Sequence, residues 1–276
     1  MADLPQDRII GCRPFWVCGV DLCGPVLTTL RIRGRPPVKT YIAVFVCFAS
    51  KAIHLEALSD LQTDTFHSAL NRFVGRRGLP KKIWCDNATN FVGTARVWNE
   101  KDKVRVQKAT AEQGVEFQFI PPRAPHFGGL WEAAVKSAKS LLLRTIGKAN
   151  LTYEELTTAL IDVEAVLNSW PIVAITEDPN DGEALTSGHL LIGSSLKALP
   201  EIEGRGNKGG SLKRFRLLSS LKEHFWAVWQ RDYVRDLQQR AKWRTPNNNL
   251  KVGDVVIVHE DNLPPQKWVL GKVESV

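Results

Sequence analysis

Three acidic residues stand where a freely solvated carboxylate makes poor structural sense. Asp21 closes an apolar run that starts at Phe15. Asp86 follows Ile83-Trp-Cys85, and Glu132 falls in the first turn of a helix that begins just after Gly128-Gly129. A carboxylate drawn into a sheet edge is costly unless it is paired, hydrogen-bonded or bound to metal. Two aspartates at strand ends and one helical glutamate can converge on one edge as an all-oxygen donor set. That is hard-cation chemistry, suited to Mg2+ or Mn2+ rather than zinc. Each residue also has a plainer reading. An Asp after a strand is commonly a turn residue, and a Glu in a first helical turn complements the helix dipole. Only the combination and its context separate the two.

Lys136 and Lys139 follow Glu132 by four and seven residues and share its helical face. They form either a solvated Glu–Lys face or a cationic rim beside the carboxylates. Upstream, Pro121-Pro-Arg-Ala-Pro-His-Phe-Gly-Gly is stiffened by proline at one end and freed by glycine at the other. It carries Arg123 and His126, and His126 reads equally as a ligand contact or a loop cap.

The elements that must position these groups are legible as strands and helices. Phe15 to Leu22 reads as a strand ended by the turn signal Gly24-Pro25. Arg31-Ile-Arg-Gly-Arg-Pro-Pro reads as a basic hairpin tip leading into a strand over 40–48, and Ala52 to Leu58 as a third, alternating strand. The spacing from Asp60 to Phe73 predicts a helix stopped at Gly75 and Gly78. Short strands at 82–86 and 115–120 flank a polar helical stretch at 92–112. Helices follow at 130–146 and from Asn150 to Asn168, the latter with Thr152 as N-cap and Glu155 at capping-box spacing. An irregular stretch reaches Lys197. One long helix is then expected over 211–244, its aromatic series read as packing. Two strands near 252–258 and 267–273 complete a small barrel that leans on this helix. This order describes a mixed-sheet α/β domain followed by a smaller one.

Composition bounds the partners. The chain has 276 residues, is 43% hydrophobic and 24% charged, and carries a net charge of +8. That excludes pervasive disorder, and no 20–50-residue repeat is present. From Lys197 onward there are 15 basic and 9 acidic residues, so +6 of the +8 lies in the last 80. A polyanionic partner is expected, nucleic acid before membrane. The first residues carry no apolar signal core, and the longest apolar run, Tyr41 to Ala49, is too short for a bilayer. Five cysteines without a Cys-x-x-Cys pair point to a reducing compartment and no zinc finger.

Taken in order, Gly19-Val-Asp21, Trp84-Cys-Asp86-Asn-Ala-Thr-Asn-Phe91 and Pro121-Pro-Arg-Ala-Pro-His-Phe-Gly-Gly-Leu-Trp-Glu132 resemble the DDE integrase core of retroelements. The closer resemblance is to the integrase of BEL/Pao-type long-terminal-repeat retrotransposons. The 64 residues between the aspartates and the 45 between Asp86 and Glu132 suit that branch. The likeness extends through Leu185-Thr-Ser-Gly-His-Leu-Leu-Ile-Gly193, Leu237-Gln-Gln-Arg-Ala-Lys-Trp243, Asn249-Leu-Lys-Val-Gly-Asp254 and Leu263-Pro-Pro-Gln-Lys-Trp268, covering nearly the whole chain.

The resemblance implies a ribonuclease H-like fold, a mixed five-stranded sheet flanked by helices, followed by a long helix and a small SH3-like β-barrel. It implies a catalytic core over residues 8–196, a linker over 197–210, and a DNA-binding C-terminal region over 211–276. Asp21, Asp86 and Glu132 would hold two Mg2+ (or Mn2+) ions for 3′-end processing and strand transfer. Lys136, Lys139, Arg123, His126 and Asn87 would contact DNA. Double-stranded DNA, a homo-oligomer (dimer or tetramer) and nuclear action after cytoplasmic synthesis are implied, with no membrane role. The family's preceding His/Cys zinc domain has no counterpart here, so no zinc is expected. Ala88 stands where the family carries Gly, a change of about 1 kcal/mol if that residue needs a positive φ. The alternatives are an inactive or domesticated DNA-binding relic, and a hydrolase of RNA–DNA hybrids.

Overall fold

The computed structural model describes residues 12–86, 91–94, 114–119, 139, 142–143, 145–146, 149–176, 178, 183–197, 213–237, 250–258, 260 and 263–276. The chain divides into two compact units, Met1–Glu164 and Ala165–Val276. The expected linker at 197–210 falls almost wholly outside the described residues, as does most of the helix expected at 130–146.

The first unit is built on a five-stranded sheet in the order β3-β2-β1-β4-β5. Its strands are β1 (Val17–Thr28), β2 (Val38–Cys47), β3 (Ile53–Leu58), β4 (Lys82–Cys85) and β5 (Glu116–Phe119). The first three form an antiparallel meander, and β4 and β5 then add parallel to β1. This is the mixed, ribonuclease H-like sheet that the sequence led us to expect. The helices α1 (Thr63–Arg77) and α2 (Tyr153–Leu167) accompany it. α1 buries Phe66, Ala69, Leu70 and Phe73, one face at helical spacing. Phe73 stacks on Phe45 of β2 at 4.3 Å and meets Phe15 edge-on at 5.4 Å. The capping box of α2 is present: the Thr152 N–H donates to Glu155 Oε2 at 2.9 Å, and the Glu155 N–H to Thr152 Oγ1 at 3.2 Å.

Four expectations are corrected. β1 does not end at Gly24-Pro25. It passes through a bulge between Cys23 and Val26 and pairs on to Thr28. Gly24 takes φ +123, and a Cβ there would meet the Thr40 carbonyl oxygen at 3.2 Å. α1 runs through Gly75 and stops at Gly78, whose φ of +83 suits a residue without Cβ. β3 alternates in sequence but not in burial. All six of its residues are buried, because the polar face carrying His54 and Glu56 is covered by charge from the helices. His54 Nε2 lies 3.1 Å from Glu56 Oε1, and its Nδ1 lies 3.1 Å from Glu164 Oε2. Arg72 and Arg76 reach Glu56 at 2.6 and 2.8 Å, and Arg77 pairs with Glu164.

The fourth correction lies in the second unit. The stretch read as irregular contains β6 (Pro171–Ala174), β7 (Ala184–Thr186) and the short α3 (Ser187–Ile192). Thr186 caps α3 in a reciprocal box in which His189 takes the place usual for Glu or Gln. α4 (Lys213–Leu237) carries the expected aromatic series, and it packs as expected. Trp226 and Tyr233 meet Trp268 edge-on at 5.0 and 5.4 Å, and the Tyr233 hydroxyl donates to the Pro171 carbonyl at 2.8 Å. The C-terminal strands β8 (Val255–Val258) and β9 (Val269–Lys272) form an antiparallel pair. No helix among the described residues is long and apolar enough to cross a membrane.

Candidate active site

Asp21 lies inside β1, not at its end, because the strand continues past it as a pair with β2 alone. Asp86 is the residue immediately after β4. Parallel pairing matches Val17 with Lys82, Cys18 with Ile83 and Gly19 with Trp84, a constant offset of 65. Two residues further on, the same offset sets Asp21 across from Asp86. Neighbouring strands lie about 4.8 Å apart, and residues opposite one another in parallel strands face the same way. Two carboxylates thus share one sheet edge, although 64 residues separate them in the chain.

Neighbouring groups temper this concentration of charge. Lys139, on the helical segment that follows, forms an ion pair from its Nζ to Asp21 Oδ2, with Asp21 32% exposed. The Leu22 N–H donates to Asp21 Oδ1 at 2.7 Å. The thiols beside the site register its field. Burial pushes Cys23 up to about 12, with Lys139 opposing the rise and Asp21 adding to it. Burial and then the Asp86 charge push Cys85 up to about 12. Both cysteines therefore stay protonated and inert near neutral pH. All five cysteines are free, and four are buried.

Beyond Asp86, the chain is described again at Phe91. This residue is fully buried and meets Phe66 of α1 edge-on at 4.7 Å. A Cβ on Gly93 would collide with the Thr63 side chain, so this turn packs against the start of α1. These contacts hold the segment that resumes at Phe91.

The structure therefore pairs Asp21 with Lys139 and sets Asp86 directly after the neighbouring strand. Glu132, Lys136, Arg123, His126, Asn87 and Ala88 lie outside the described residues. Among the described residues no group of three His, Cys, Asp or Glu side chains stands ready to hold a metal ion. The two carboxylates nevertheless fit one end of a divalent-cation site. Their donors are all oxygen, they belong to neighbouring strands at one offset, and an ammonium already occupies a cation's place against Asp21.

Sequence reasoning missed the buried cluster around His54. Its signal was there, a His-x-Glu on a strand beside Arg72, Arg76 and Arg77 at helical spacing, but the polar positions were read as a solvent face.

The first unit is thus a ribonuclease H-like α/β domain with an aspartate pair at the carboxyl end of its parallel strands. A family described as of unknown function (DUF5641) matches residues 213–276. No curated protein matches the chain. Among solved structures, the chain is similar to the simian T-cell lymphotropic virus intasome, solved in complex with the PP2A regulatory subunit B56 gamma. Identity is 16%, the match covers 72% of this chain and 62% of that one, and the TM-score is 0.44. It is also similar to the HTLV-2 integrase catalytic core domain in complex with magnesium, in its trimeric form. There the identity is 17%, the coverage 66% of this chain and 99% of that one, and the TM-score 0.40. The chain spans 62% of the length of the first of these.

Proposed function

We propose that this chain is a retroelement integrase, of the BEL/Pao type that its sequence resembles, transferring DNA strands at Asp21, Asp86 and Glu132. The observation that carries the reading is the register of β1 on β4. It sets Asp21 across from Asp86 at the carboxyl end of parallel strands, with Lys139 against Asp21. Carboxylates set on one sheet edge repel one another, and a cation held between them would relieve that repulsion.

Asp21 and Asp86, with Glu132 from the following helix, would hold two Mg2+ or Mn2+ ions. When bound, these lower the pKa of an attacking water or 3′-hydroxyl and stabilise the leaving oxygen. The chain's own groups do the rest. The strand ends fix the carboxylate oxygens on a rigid sheet, which keeps the reacting phosphate in line with its nucleophile. Lys139 neutralises Asp21 before substrate arrives and is then placed to meet a phosphate oxygen. Lys136, Arg123, His126 and Asn87 would contact the DNA end. Water would first trim the ends, and the new 3′-hydroxyls would then attack target phosphodiesters. Joining two ends to one target needs at least two copies of the chain, and action on chromosomal DNA places it in the nucleus.

The test uses purified chain, Mn2+ and a labelled duplex with a free 3′-hydroxyl, together with a supercoiled plasmid as target. Nicking and joined product are expected, both falling at least 100-fold in Asp86→Asn. Product that survives this substitution would refute the reading. Binding that persists in EDTA and in Asp86→Asn, with no cutting in any metal, would instead mark a non-catalytic DNA-binding protein.

A further inference from the structure

β1 does not stop where its parallel neighbour does. β4 ends at Cys85, whereas β1 runs on from Leu22 to Thr28, paired with β2 as far as Val38. At about 3.3 Å per residue these positions reach roughly 20 Å beyond Asp21. β3 stays paired with β2 as far as Tyr41, so the outermost rungs, Val26–Thr28 against Val38–Thr40, form a two-stranded arm. Parallel pairing fixes its direction, so the arm leaves the sheet from the edge on which Asp86 lies.

The arm is held in place. The bulge at Gly24-Pro25 turns it, and a buried hydroxyl pair, Thr28 Oγ1 to Thr40 Oγ1 at 2.8 Å, ties its last rung, Thr28 on Val38, to the rung of Val26 on Thr40. The Thr29 N–H donates to the Leu151 carbonyl at 2.8 Å, and Arg31 pairs with Glu155, the residue that also caps α2. Its tip is therefore anchored to a helix.

Its surface is unusual. No acid stands between Asp21 and Glu56, a stretch holding Arg31, Arg33, Arg35, Lys39 and Lys51. Glu155 answers Arg31, but Arg33, Arg35 and Lys39 are exposed and have no acidic partner among the described residues. Leu30 and Ile32 alternate with these cations and are 56% and 59% exposed. Cations interleaved with uncovered aliphatics on an anchored projection describe a contact surface rather than a solvated turn.

We infer that this arm grips duplex DNA beside the aspartate pair. Arg33, Arg35 and Lys39 meet phosphates, and Leu30 and Ile32 lie against the sugar edges of a minor groove. The arm issues from the same sheet edge as the proposed chemistry, so a duplex held there runs along it. This location rests on the strand-transfer reading, but the binding itself does not need catalysis.

The test measures binding of full-length chain to a labelled random-sequence duplex across a salt series. Each phosphate contact contributes about 0.9 to the slope of log affinity against log salt. In Arg33→Gln/Arg35→Gln/Lys39→Gln the slope should become shallower by about 2.7, with affinity falling at least tenfold. Arg33→Lys/Arg35→Lys should keep most of the slope. Matching melting curves for the variants guard against misfolding. An unchanged slope in the triple variant would overturn the arm while leaving the strand-transfer reading intact. No DNA binding by the unsubstituted chain would overturn both. Loss of binding to phosphatidylserine vesicles, with DNA binding unaltered, would make the arm a membrane contact and also overturn it. A lost slope in a chain that never cuts DNA would sustain the arm and remove only the catalytic reading.

Discussion

His54 is enclosed by charge from every element packed on it: Glu56 on its own strand, Glu164 on α2, and Arg72, Arg76 and Arg77 on α1. Burial favours its neutral form, yet the hydrogen bonds from Glu164 and Glu56 outweigh that and hold its pKa above the ordinary 6.5. For Glu56 and Glu164 burial likewise opposes charge, and the bonds from His54 and the arginines win, holding both below 4.5. The signs therefore differ. The histidine's contribution is complete below about pH 6.5 and is lost as pH rises through its raised folded value. The glutamates' contribution is complete above about pH 4.5 and is lost as pH falls through their lowered values. Melting temperature should therefore decline from pH 6.5 towards pH 9. His54→Gln should cost about 1–3 kcal/mol at pH 6 and flatten that decline. A melting profile with an unaltered alkaline slope in His54→Gln would place its origin elsewhere. This cluster was hidden in the sequence for a physical reason. Alternation reports polarity, and it stands for exposure only when nothing charged comes back to cover the polar face. Asp21 and Asp86 stood out only through their order with Glu132, because an Asp after a strand is by itself commonly a turn residue.

At the scale of elements, the glycines of α1 show what local chemistry decides. Gly75 and Gly78 read alike as stop signals, but only Gly78 is one. Gly75 has ordinary helical geometry, and a Cβ there meets nothing within 4 Å. Gly78 sits at φ +83, where a Cβ would come within 3.0 Å of the Arg13 guanidinium, which itself donates to the Arg77 carbonyl at 3.1 Å. Gly75→Ala should stabilise the chain by about 0.5–1 kcal/mol. Gly78→Ala should destabilise it by roughly 1–3 kcal/mol. Urea denaturation followed by circular dichroism separates them, and equal shifts in the two variants would contradict the assignment of the helix end. The same logic explains the arm. A Gly-Pro pair usually ends a strand, and here it makes a bulge because β2 continues opposite it. Pairing partners far along the chain decide such cases, and a local pattern does not contain them. The capping box at Thr152 was legible because both of its bonds lie within four residues.

For the molecule as a whole, the sheet order, the aspartate register and the surplus of basic residues belong to one design. The chain carries a net charge of +8, while Asp21 and Asp86 put negative charge on neighbouring strands of the sheet. Asp21 already has a cation against it, the Lys139 ammonium. A divalent cation held there as proposed would displace or share that ammonium and would favour the folded first unit over its unfolded chain. At a concentration about 100 times its Kd, Mn2+ should stabilise that unit by about 2.7 kcal/mol. For a unit of this size that is roughly 5–10 °C in calorimetric melting temperature. Asp86→Asn should abolish the increment. Lys139→Gln should act in the opposite sense, lowering stability without metal because the paired aspartates lose their counter-charge, yet enlarging the gain on adding Mn2+. An increment that persists in Asp86→Asn, or shrinks in Lys139→Gln, would mean that the ion binds elsewhere and that the ammonium and the metal do not compete for one place.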